Sequence, residues 1–216
     1  MREQNGHEKF GNENSGLPMV FVVDDDEAMR DSIACLLESV HLPCRKFGDA
    51  SAFLEFCDAS RMGCILLDIR MPGISGMELL EQLKAKGISL PVIIITGHGD
   101  VPLAVRALKL GAFDFVQKPF NAHDLLDRVH AALQQVQENH QKNQKLDSLR
   151  SYFDTLTGRE REIMELVVAG NPSKVIGSKL GISLRTVDIH RSNLMRKLNV
   201  RSVAELVQSR LALRED

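Results

Sequence analysis

The chain has no tryptophan and only one tyrosine, Tyr152, among its 216 residues. So few rings argue against a stacking platform for single-stranded nucleic acid. No apolar run approaches the roughly 20 residues that span a bilayer, so no membrane partner is expected. The opening stretch MREQNGHEKFGNENSG lacks the apolar core of a secretion signal, and a cytoplasmic location is expected. Residues 1–16 have almost nothing to bury and read as a flexible tail. The four cysteines (Cys35, Cys44, Cys57 and Cys64) form no C-x-x-C pair, and no histidines complete a zinc pattern. They read as small buried hydrophobes, with redox sensing a poor second.

What is present is unevenly charged. The net charge is −2, but residues 17–120 hold 10 Lys and Arg against 14 Asp and Glu, whereas residues 157–216 hold 11 against 7. An acidic front and a basic rear imply two jobs, with phosphate binding in the second.

The front half alternates short apolar runs with helical patterns. MVFVV at 19–23, CILL at 64–67, PVIII at 91–95 and FDFV at 113–116 read as strands buried on both faces, with a weaker strand at 42–47. Between them, residues such as Met29, Ile33, Leu36 and Leu37 recur at helical spacing. The order predicts an α/β doubly wound, five-stranded parallel sheet and a final helix from Asn121. That helix either continues past Gln134, through QQVQENHQKNQK, or frays into a linker.

From Thr157 the chain predicts a small all-α domain of four helices. Thr157 and Glu160 have capping-box spacing. Asn171-Pro172 reads as an N-cap followed by proline at the first helical position, and Ser183 and Ser202 cap two further helices. The segment SKVIGSKLGISLRTVDIHRSNLMRKL reads as helix, glycine turn, helix. On its second helix Val187, Leu194 and Leu198 share a buried face. Arg185, Asp188, Ile189, Ser192, Met195 and Arg196 lie opposite. A basic, exposed second helix suits a DNA major groove.

In a parallel α/β sheet, functional groups gather beyond the carboxyl ends of the strands. The first run ends in Asp24-Asp25-Asp26-Glu27, the third in Asp68, the fourth in Thr96-Gly97 and the fifth in Lys118-Pro119. An acidic run alone is ordinarily a solvated helix start, which suits Asp26 and Glu27. Four strand ends delivering carboxylates, a hydroxyl and an ammonium together point further. Carboxylates at close quarters favour a cation among them, and a hard ion such as Mg²⁺ prefers oxygen ligands. Phosphoryl transfer needs mainly positioning and charge stabilisation, which Thr96 and Lys118 can provide.

VVDDDEAMR, LLDIRMPGISGMELL, IIITGHGD and FDFVQKPF resemble the signatures of response-regulator receivers, of flavodoxin-like fold, over about residues 18–130. The resemblance implies Asp68 as phosphoacceptor from a sensor histidine kinase. It implies Mg²⁺ on Asp24, Asp25, Asp68 and the backbone carbonyl of Arg70. Thr96, Gly97 and Lys118 would face the phosphoryl group, and Lys118-Pro119 would be cis. Phe115 would be the switch aromatic, where many members have Tyr. His98 and Arg70 could tune dephosphorylation by steering water, or His98 could be an ordinary loop histidine.

The stretch LTGREREIMELVVAGNPSKVIGSKLGISLRTVDIHRSNLMRKLNVRS resembles the LuxR-type helix-turn-helix, so the whole chain is similar to NarL/FixJ-type regulators. By that resemblance Asp188, Ile189 and Ser192 read bases, and Thr186, Arg191 and Lys197 hold phosphates, with Lys174 and Arg185 adjacent. Ser173 and Gly177 stand where many members have Asn and Ala, and Gly177 should cost about 1 kcal/mol of helix propensity. The implied organisation is a tail at 1–16, a receiver at 17–133, a helical linker at 134–154 and a DNA-binding domain at 155–216. The implied function is phosphorylation-controlled, sequence-specific binding of double-stranded promoter DNA, with homodimerisation on phosphorylation and RNA polymerase as a further partner. No enzymatic activity is expected beyond slow self-dephosphorylation. Two alternatives differ in class. An aspartate-nucleophile phosphohydrolase would want D-x-D-x-[T/V] and a substrate-capping insertion, and Ala28 breaks the first. A receiver acting by protein contact alone would leave the rear helices idle.

Overall fold

The computed structural model describes residues 18–97 and 101–213; the expected tail and His98 lie outside them, as does the side chain of Val101. Strands β1 (Met19–Val23), β2 (Cys44–Phe47), β3 (Gly63–Asp68), β4 (Val92–Thr96) and β5 (Asp114–Gln117) alternate with helices α1 (Glu27–Ser39), α2 (Ala50–Phe56), α3 (Gly76–Ala85) and α4 (Val101–Leu110). They form one parallel sheet in the order β2-β1-β3-β4-β5. The register aligns the carboxyl ends: Val23 pairs with Leu67, Asp68 with Ile95 and Thr96 with Gln117.

Alternate side chains leave opposite faces of a strand. Phe21, Val23, Ile65, Leu67 and Ile94 pack with Phe53, Leu79 and Leu83 on one face. Val20, Val22, Leu66, Ile93 and Ile95 pack with Ile33, Leu37, Leu125 and Val129 on the other. Both faces are covered, so the runs are apolar throughout; every residue of β3 is buried. β2 begins at Cys44, later than expected. The Leu42 N–H closes α1 on the Leu37 carbonyl, 3.0 Å away, instead of entering the sheet. β2 is also an edge strand, with Arg45 and Lys46 exposed. α3 starts on a capping box, Ser75 with Glu78. Its first residue must be glycine: a methyl on Gly76 would stand 2.2 Å from the carbonyl oxygen of Asp68.

The cysteine expectation is half right. Cys57 and Cys64 are buried, and burial pushes their thiols up to about 11 and about 12. Cys44 is half-buried, and Cys35 is exposed on the outer side of α1.

α5 (Ala122–Asp154) is helical throughout, including the stretch where fraying was the alternative. The chain divides inside this helix into two compact units, one ending at Glu138 and the other beginning at Asn139. The second unit adds α6 (Gly158–Val168), α7 (Ser173–Leu180), α8 (Leu184–Lys197) and α9 (Val203–Ala212). Its core is Leu156, Ile163, Met164, Val167, Ile176, Val187, Leu194, Leu198 and Leu206, with Phe153 against it. Thr157 and Glu160 form the expected capping box, and Ser183 and Ser202 cap α8 and α9.

Two local expectations change. Pro172, not Asn171, is the N-cap of α7, and it supplies no side-chain bond. Asn171 instead turns back: its backbone and side-chain N–H groups both donate to the Leu166 carbonyl in the last turn of α6. Gly177 has a steric reason, since a methyl there would stand 2.9 Å from the carbonyl oxygen of Ile182. Its helix-propensity cost of about 1 kcal/mol permits the close turn into α8. No helix among the described residues is long and apolar enough to cross a membrane.

Candidate functional site

The aligned strand ends bring Asp24, Asp68, Thr96 and Lys118 together. Asp24 follows β1, Asp68 closes β3, Thr96 closes β4 and Lys118 follows β5. Asp24 is 1% exposed, Asp68 7% and Thr96 0%. The Lys118 ammonium donates to Asp24 Oδ2 at 2.8 Å and to Asp68 Oδ1 at 2.7 Å. The other oxygens are held by backbone: Asp24 Oδ1 accepts from the Asp26 N–H at 2.9 Å, and Asp68 Oδ2 from the Arg70 N–H at 2.6 Å. The Lys118-Pro119 peptide is cis, as expected, and the Lys118 N–H donates to the Thr96 carbonyl at 2.7 Å.

Burial pushes the Asp68 carboxyl above its usual range; Asp24 adds to that, while Lys118 and the Arg70 N–H oppose it. Burial also works against the charge on Lys118, but hydrogen bonds to the two carboxylates outweigh it and raise the ammonium's pKa. Two buried carboxylates facing one ammonium leave a negative excess, and Asp25 stands exposed beside them. Among the described residues no three carboxylate, histidine or cysteine groups close on one point. The donors are nonetheless all oxygen, which with the charge excess fits a hard divalent cation.

The Thr96 hydroxyl has a poor bond: its acceptor, the Gly97 carbonyl, is 3.5 Å away. Phe115 is half-buried against the core that includes Ile94 and Ala107. Sequence reasoning overlooked Arg30. Its guanidinium donates to the Asp24 carbonyl at 2.7 Å and lies against Gly48 after β2. The available signal was a cation about one turn into the helix that follows the acidic run.

In the second unit, α8 presents Arg185, Asp188, Ile189, Ser192 and Arg196 to solvent, with Ile189 53% exposed. Val187, Leu194 and Leu198 are buried as expected, but Met195 packs against the core. Lys174 is exposed on α7. Thr186 Oγ1 shares a hydrogen bond with Ser183 Oγ at 2.7 Å. Arg191 donates to Ser173 Oγ at 2.7 Å, tying α8 to the start of α7.

Lys197, expected among the phosphate contacts, also has partners within the second unit. Its ammonium donates to Glu160 Oε2 at 2.7 Å and to the Thr155 carbonyl at 3.1 Å. Glu160 is 4% exposed. Burial opposes its charge, yet the Lys197 bond and the two from Thr157 hold its carboxyl down to about 2. Lys197 thus carries a structural ion pair while its side chain stays 31% exposed.

Comparison with known proteins covers both units. Residues 20–130 match the response regulator receiver domain, and residues 154–209 match the luxR family of bacterial regulatory proteins. The transcriptional regulatory protein FixJ of Bradyrhizobium diazoefficiens is 42% identical over 195 residues, 90% of this chain and 94% of that protein. FixJ of Azorhizobium caulinodans is 45% identical, over 89% of this chain and 91% of its own length. Among solved structures, the response regulator StyR is 46% identical at a TM-score of 0.82, covering 89% of this chain and 98% of that one. Full-length FixJ from B. japonicum is 39% identical at 0.58, covering 92% and 98%. The chain belongs to the two-component response regulators that join a receiver domain to a luxR-type DNA-binding domain and regulate transcription.

Proposed function

We propose that Asp68 accepts a phosphoryl group from a sensor histidine kinase, and that its phosphorylation controls sequence-specific binding of double-stranded promoter DNA by α8. The observation that carries this reading is the Lys118 ammonium bridging buried Asp24 and Asp68. Asp24, Asp25, Asp68 and the Arg70 carbonyl would hold Mg²⁺, which neutralises phosphoryl charge when bound. An Asp68 oxygen forms a bond to phosphorus as the P–N bond to the kinase's phosphohistidine breaks, Lys118 pairs with the phosphoryl oxygens, and the Thr96 hydroxyl donates a hydrogen bond to one of them. Slow hydrolysis of the acyl phosphate returns the resting state. The working division is a receiver at 17–133, a linker at 134–154 and a DNA-binding domain at 155–216, acting in the cytoplasm with RNA polymerase.

Phosphorylation acts by pairing two chains through the α4–β5–α5 face. One short helix reads few base pairs, and two copies on one DNA gain effective concentration. Ala104 is core and Phe113 is half-buried; among the described residues the exposed large apolar groups of α4 are Val105, 43% exposed, and Leu108, 37% exposed.

Asp68→Asn is expected to abolish Mg²⁺-dependent labelling by acetyl phosphate; undiminished labelling would move the nucleophile elsewhere. With beryllofluoride, light scattering is expected to show a dimer. A beryllofluoride-bound chain that binds DNA more tightly but stays monomeric, on and off a two-half-site operator, would remove the pairing mechanism.

A further inference from the structure

We propose that Arg30 is a positioning residue for the divalent cation, acting through Asp25; this rests on the metal site proposed above. Asp24 is bonded at every polar atom. Its N–H donates to the Phe47 carbonyl at 3.3 Å, and its carboxylate is gripped by Lys118 and the Asp26 N–H. Its carbonyl accepts from Arg30 at 2.7 Å.

Asp25 is the opposite case. It is exposed, and among the described residues no hydrogen bond or ion pair holds its carboxylate. The backbone is all that fixes where its side chain departs. The Asp24 carbonyl belongs to the same rigid peptide plane as the Asp25 N–H. A donor fixed on that oxygen therefore fixes the plane from which the Asp25 side chain departs.

Arg30 is well placed for this. Its own N–H donates to the Asp26 carbonyl at 3.0 Å, in the first turn of α1, which Asp26 caps with its side chain. The guanidinium lies against Gly48: a methyl built there would sit 3.6–3.7 Å from its atoms. Arg30 thus holds the β1–α1 turn and fills the space beside Gly48 in the β2–α2 turn, leaving the exposed carboxylate a defined departure. Outer-shell groups of this kind affect metal affinity by about ten- to a hundredfold. The electrostatic effect has the opposite sign, since a guanidinium near the site repels a dication. Alignment and charge therefore predict opposite outcomes.

The test is Mg²⁺ titration of the full chain by calorimetry, without phosphodonor, for wild type, Arg30→Met, Arg30→Lys, Asp25→Asn and the double variant Asp25→Asn/Arg30→Met. Arg30→Met is expected to weaken Mg²⁺ binding about tenfold. Lysine, which keeps the reach and a donor, should restore most of it. The Mg²⁺ concentration giving half-maximal labelling by acetyl phosphate should rise for Arg30→Met by the same factor as the calorimetric affinity falls, as expected for an effect on metal occupancy. In the Asp25→Asn background, Arg30→Met should change nothing further, because the two act as one unit. Unchanged or tighter binding by Arg30→Met overturns the proposal, as does an additive double variant. If Arg30→Met fails to fold, wild-type affinity in a folded Arg30→Gln chain, too short to reach the carbonyl, overturns it as well. Wild-type chain that takes up no Mg²⁺ would instead refute the metal site itself.

Discussion

Replacing Lys197 with methionine keeps the aliphatic stem and removes the ammonium. Glu160 stays buried with its two bonds from Thr157, at 2.8 and 2.9 Å, and loses the cation at 2.7 Å. A hydrogen bond to a charged group contributes about 1.5–3 kcal/mol. Lys197 is 31% exposed, so water replaces part of the loss; about 2 kcal/mol is expected. In a unit of this size that is a large share of total stability. Amide hydrogen exchange in the full chain reads it locally: peptides from α6 and α8 should exchange about 30-fold faster, and those from β1–β5 unchanged. The pH dependence adds a sign. Glu160 is held at about 2 against an ordinary 4.5. Its contribution is fully present above about pH 5 and fades as pH falls toward 2. In Lys197→Met that acid-side loss of protection should shrink. Unchanged exchange, with a DNA-binding salt slope lower by about one, would refute this reasoning and return Lys197 to the phosphates.

Arg191→Ala should weaken DNA binding to about the same degree across sequences and reduce the salt slope by about one; a changed preferred sequence at constant slope would make Arg191 a base reader. Iodoacetamide at neutral pH should modify Cys35 first and spare Cys57 and Cys64, whose thiols are held at about 11 and about 12, until the chain unfolds. Early labelling of Cys64, read by peptide mass, would contradict its burial.

The sheet was legible because it is covered on both faces: burial of every residue in β3 leaves a run that alternation cannot blur. β2 was the least legible strand, because its edge position exposes Arg45 and Lys46. Asp24, Asp68, Thr96 and Lys118 were readable because strand ends converge whatever the loops do. What escaped was tertiary. Lys197 and Glu160 are 37 residues apart, and nothing local announces their ion pair. Arg30 acts on a backbone carbonyl, a partner that no residue pattern displays. Cys35 could have been read better, since Ile33, Ala34 and Leu37 define the buried side of α1 and exclude it.

Thr96 carries a debt. Its hydroxyl is wholly enclosed, yet its only hydrogen bond in the described structure is stretched to 3.5 Å. An enclosed hydroxyl without a good partner costs about 1–3 kcal/mol. Among the described residues that hydroxyl is short of a good acceptor, beside the carboxylate proposed to be phosphorylated. A phosphoryl oxygen arriving there would discharge the deficit, and the same free energy would then favour whichever conformation lets Thr96 reach it. Valine, of the same shape without the hydroxyl, should therefore make a sturdier resting protein and a worse switch.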